Sequence, residues 1–137
     1  MRFQTQPTIF NNFLWYGIAE TETAYFVGFY SILDTKSTIS RWHKLPKNHN
    51  MICDNIKDLE TLAWFSGGYY NLSETADSKT YLFRDLRYPL MDEEDPNSTI
   101  FKFTITKSDE RWEAAPFYAP NVNRNSLKSF WARLKGI

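Results

Sequence analysis

At 137 residues, with 42% hydrophobic and 18% aromatic side chains, the chain has the size and apolar content of one ordinary folded domain and is not a disordered segment. Its 16 basic residues are matched by 16 acidic ones, and this lack of basic excess argues against nucleic acid as a partner, since phosphate neutralisation supplies much of such binding. A lone cysteine, Cys53, excludes an internal disulfide, and no apolar run approaches the ~20 residues of a membrane span, so a soluble body is expected.

Met1 to Pro7 is polar and lacks the apolar core of a signal peptide. Phe13 to Ala19 is apolar on both alternating faces, the pattern of a buried central strand. After the polar break Glu20 to Thr23, Tyr25 to Leu33 repeats it, and the short connection predicts an antiparallel hairpin. Asp34 to Ser37 reads as a turn, Thr38 to Leu45 as a third strand, and Pro46 as its end.

The period then changes. Ile52, Ile56, Leu59 and Ala63 recur at helical spacing, with Asp54 or Asn55 as the expected cap and Gly67-Gly68 as the left-handed stop. Strand character returns at Tyr69 to Ser73 and Tyr81 to Tyr88, separated by the polar turn Glu74 to Lys79. The acidic run Asp92 to Asp95 lacks the glycine and alternating ligands of a calcium loop and reads as a solvated loop. Phe101, Phe103 and Ile105 alternate with Lys102, Thr104 and Thr106, a half-buried strand, whereas Ala114 to Pro120 reads as irregular. A closing helix is carried by Leu127, Phe130, Trp131 and Leu134, capped by Asn123 or Asn125. Together these predict an α+β fold, one curved, mostly antiparallel sheet of about six strands with two helices packed on a face, in a single domain over 1–137.

Catalytic signatures are absent. Ser66-Gly67-Gly68 is not a nucleophile elbow, and phosphate-cradling glycine motifs do not occur. His43, His49, Cys53 and Asp54 include metal-ligand types, but their spacing is not that of a zinc site, and no metal or other cofactor is expected here. Asp85 and Arg87, two apart on a predicted strand, share a face with Tyr81. Such a pair could anchor an anionic ligand in a pocket between sheet and helix; the alternative is a brace between strands. On the closing helix Arg124, Lys128, Arg133 and Lys135 accompany Trp131 without an acidic residue, the pattern of a membrane-surface helix that contacts anionic lipid. Packing on the sheet is the competing role for that face.

Several stretches, in order, resemble the C-terminal region of the YdjM-like membrane-bound, predicted metal-dependent hydrolases of Bacteroidetes type. They are Gln6-Pro7-Thr8-Ile9-Phe10-Asn11 with Leu14-Trp15, Tyr25 to Ser31, Leu45 to His49, Trp64 to Tyr70, and Asp85-Leu86-Arg87. The resemblance implies a soluble accessory domain attached to a bacterial inner membrane, partnered by a membrane-embedded N-terminal half of the same polypeptide. Any divalent metal would sit in that half, so no catalytic residue carries over to this chain. Tyr88-Pro89 departs from the family pattern, and the last 30 or so residues match nothing in it.

Overall fold

The computed structural model describes residues 1–8, 11–117 and 124–137, except the side chains of Arg124 and Ser126. Within it the strands form not one sheet but two, each four-stranded, antiparallel and ordered as in the chain. The first holds β1 (Arg2–Pro7), β2 (Leu14–Glu20), β3 (Ala24–Ser31) and β4 (His43–Pro46); the second holds β5 (Tyr70–Glu74), β6 (Thr80–Asp85), β7 (Lys102–Ser108) and β8 (Arg111–Pro116). The helices are α1 (Lys57–Phe65) and α2 (Arg124–Leu134). The chain divides accordingly into two compact units. One combines Met1–Pro46, Pro89–Ser98 and Pro120–Ile137, and the other Lys47–Tyr88 and Thr99–Ala119. Among the described residues no helix is long and apolar enough to cross a membrane.

In the first unit β2 is central, paired with β1 and β3, which accounts for its two apolar faces. One face supplies Leu14, Tyr16 and Ile18 to a core shared with Val27, Phe29, Leu45 and Leu90. On the other face Gly17 and Gly28 stand directly opposite each other. A Cβ on Gly28 would meet Ile39 Cγ2 at 2.5 Å and the Arg41 carbonyl oxygen at 2.7 Å, so residues 38–42 lie flat over bare backbone. That is why the third strand begins only at His43 and not at Thr38: the preceding residues cover the sheet instead of extending it. β1, which its polar composition concealed, is one edge strand of this sheet, and β4 is the other.

The second unit packs α1 against its own sheet. Ile52, Ile56, Leu59, Leu72, Phe83 and Ile105 form its core. The helix is shorter than its apolar spacing suggests. It starts at Lys57 after Ile56, with no side-chain cap, so Ile52 and Ile56 enter the core from extended backbone. Asp54 accepts instead from the Trp112 indole at 2.8 Å and from Lys107 at 3.3 Å. The stop is as expected: Gly67 and Gly68 both have positive φ, and the Gly68 amide donates to the Ala63 carbonyl. β8 extends over residues expected to be irregular, pairing Ile105 with Ala114 and Phe103 with Pro116; residues 118–120 lie outside the described part.

Candidate functional site

Asp85 ends β6, and Arg87 lies in the turn that follows, not on the strand. The two are brought together by that turn and not by strand alternation. The Arg87 amide donates to Asp85 Oδ1 at 3.1 Å, closing the turn, and the side chain folds back so that Nε reaches Oδ1 at 3.1 Å and Nη2 reaches Oδ2 at 2.8 Å. This is a bidentate pair in which Asp85 is 1% exposed and Arg87 27%. The hydrogen bond to Asp85 raises the Arg87 pKa above its ordinary value, so the guanidinium is always charged. Its central carbon lies 5.0 Å from the centroid of the Phe65 ring and 5.7 Å from that of Tyr88, and Tyr88 in turn contacts Phe101 at 4.2 Å. Tyr81 belongs elsewhere. It packs against the core and its ring faces Trp112 at 6.0 Å.

The closing helix separates the residues that its sequence groups together. Phe130, Arg133 and Leu134 lie at i, i+3 and i+4 and turn inward, whereas Leu127, Lys128, Trp131 and Lys135 are exposed, Trp131 to 58%. Arg133 therefore does not belong to the basic outer flank. Its Nη1 and Nη2 bind Asp34 at 2.7 and 2.8 Å, Nη2 also reaches the Phe29 carbonyl at 2.9 Å, and Nε meets Glu93 at 2.8 Å. The Ser31 hydroxyl donates to the Leu134 carbonyl at 2.8 Å, fixing the same turn of α2. The Arg124 side chain and Asn123 lie outside the described residues; Asn125 sits inside the helix and is not its cap.

This knot lines a cleft of about 330 Å³, together with Lys36, Arg41 and the terminal Ile137. The hydrogen bonds from Arg133 hold the Asp34 carboxyl below its usual range. Burial pushes Glu93 the other way, above its usual range, even though Arg133 is adjacent. The two results are compatible because Arg133 is engaged bidentately with Asp34 and offers Glu93 only Nε. The acidic loop is thus not simply solvated. Asp92 accepts from the Ser129 hydroxyl at 3.2 Å and Glu94 pairs with Arg41. A second cleft, of about 300 Å³ and mostly apolar, runs along the outer face of the first sheet between Trp15, Tyr30 and Ile39.

Neither Asp34 nor Glu93 stood out in the sequence, because one reads as a turn residue and the other as part of an acidic run. The available signal was the placement of Arg133 three residues beyond Phe130, which puts a cation on the inner face. Among the described residues no group of three or more His, Cys, Asp or Glu could hold a metal ion. His49 Nε2 contacts the Tyr70 carbonyl at 2.8 Å, and Cys53 donates to the Asn50 carbonyl at 3.4 Å. Compared with family models, curated proteins and solved structures, the chain matches none.

Proposed function

We propose that this chain is a non-catalytic accessory domain that contacts anionic lipid through the outer face of α2, serving a membrane-bound, predicted metal-dependent hydrolase. The observation that carries the lipid contact is the exposed stripe Leu127, Lys128, Trp131 and Lys135, held outward because Arg133 and Phe130 are engaged on the opposite side. A lipid headgroup layer suits this stripe. Lysine side chains seek phosphate, and tryptophan prefers the boundary between polar and apolar media. The charge complement also selects an anionic surface, because no acidic residue lies on the helix. The link to a hydrolase, and a membrane-embedded N-terminal half as partner, rest on the family resemblance alone.

Flotation with phosphatidylcholine vesicles, with and without phosphatidylglycerol, tests the contact. Each lysine near such a surface contributes about 1 kcal/mol, so Lys128→Gln with Lys135→Gln should lower partitioning roughly 30-fold. Trp131→Ala should weaken binding while preserving the fold, since its ring is exposed. Equal flotation on neutral and anionic vesicles, or none on either, would remove the reading.

A further inference from the structure

Arg133 and Arg87 are both held by a bidentate aspartate, and the difference between them is informative. Arg133 satisfies Asp34 and still donates to a second carboxylate, Glu93, and to the Phe29 carbonyl. Arg87 satisfies Asp85 through Nε and Nη2, but among the described residues its Nη1 has no acceptor. A guanidinium carries five donors in a rigid fork, and the Asp85 pair fixes where the unfilled edge sits.

We propose that this edge of Arg87 is a binding site for a carboxylate or phosphate group carried on a flat apolar body. The anion accepts from Nη1, the group of Arg87 that Asp85 leaves unfilled, while the body lies against the Phe65 ring. Two features support a site over a brace alone. The turn and the buried carboxylate immobilise the guanidinium beforehand, so little side-chain freedom is lost on binding. Phe65 is half exposed although it neighbours a charge, and Trp64, next to it on α1, is more exposed still.

This site lies in the second unit and is independent of the lipid reading of α2, so lipid-free measurements decide it separately. In ¹⁵N NMR titrations the Arg87 Nε–H and Trp64 indole signals are followed with benzoate and with phenyl phosphate. Acetate and inorganic phosphate serve as anions without a body, and benzyl alcohol as a body without charge. Benzoate or phenyl phosphate should give saturable shifts at millimolar concentration, and whichever binds more tightly identifies the anion. Removing Asp85's partner could unfold the turn, so Phe65→Ala carries the test. It should weaken the aromatic anions about fivefold and leave inorganic phosphate unchanged. No saturable shift with either aromatic anion, or an equal response to benzyl alcohol, overturns the proposal.

Discussion

The Arg133 knot makes a quantitative claim about what holds α2 in place. Arg133→Met keeps the length and apolar stem of the side chain but removes every donor, leaving Asp34 and Glu93 as neighbouring carboxylates only 15% and 12% exposed. Stranding one member of a buried ion pair costs about 3–5 kcal/mol, and the partial exposure here places the expected loss near the lower end, about 3 kcal/mol. Against a total stability of roughly 5–15 kcal/mol this is a large fraction, equivalent to a fall of about 10 °C in Tm. Urea unfolding followed by circular dichroism measures it directly. Arg133→Lys should recover only part of the loss, because an ammonium cannot reproduce the fork that meets Asp34 and Glu93 together. The decisive comparison is the triple variant Asp34→Asn, Glu93→Gln, Arg133→Met. If stranded charge dominates, it should be more stable than Arg133→Met alone, by about 1–2 kcal/mol. A single variant that loses less than about 1 kcal/mol, or a triple variant no better than the single, would refute this account of the knot.

The same carboxylates set opposite pH dependences. Glu93 has its folded pKa raised, so the native state holds its proton more tightly and stability falls as pH rises above about 4.3; Asp34 is lowered, so its contribution disappears as pH drops below about 3.9. Glu93→Gln should therefore flatten the urea midpoint between about pH 4.3 and 7 and leave the acid limb intact; a profile parallel to the parent protein would contradict this. Gly28→Ala should cost about 1–3 kcal/mol, because the new methyl falls 2.5 Å from Ile39 Cγ2 and 2.7 Å from the Arg41 oxygen. Unchanged urea stability would show that residues 38–42 yield freely.

Strand and helix types were legible at several places where burial imposed a clean period, though not at Ile52 and Ile56, whose helical spacing belongs to extended backbone. Leu14 to Glu20 and Lys102 to Ser108 fall where alternation or a two-faced apolar run places them, and Gly67-Gly68 marks the end of α1 through its left-handed backbone. Polar edge strands escaped notice, since Arg2, Gln4 and Gln6 have no apolar face to declare and the Trp112 strand ends in a proline. The split into two sheets was not readable, because pairing partners are not encoded in the period of a single strand. For the candidate site, Asp85 and Arg87 were identifiable as a pair, but their geometry comes from a turn that Asp85 itself closes. Phe65 and Glu93 lie far from their arginines along the chain, and only tertiary contact gives them a role, whereas Tyr88, next to Arg87, looks generic.

The interleaving of the two units has a consequence for how the protein comes into being. The second unit is built from residues 47–88 and 99–119, all of which emerge from a ribosome before α2 exists. Asp34 must wait 99 positions for Arg133. During synthesis the second sheet can therefore mature while the earlier strands of the first remain without their clasp, which arrives only with α2. Removing α2 would accordingly injure the first sheet, although all four of its strands precede the second unit in the chain.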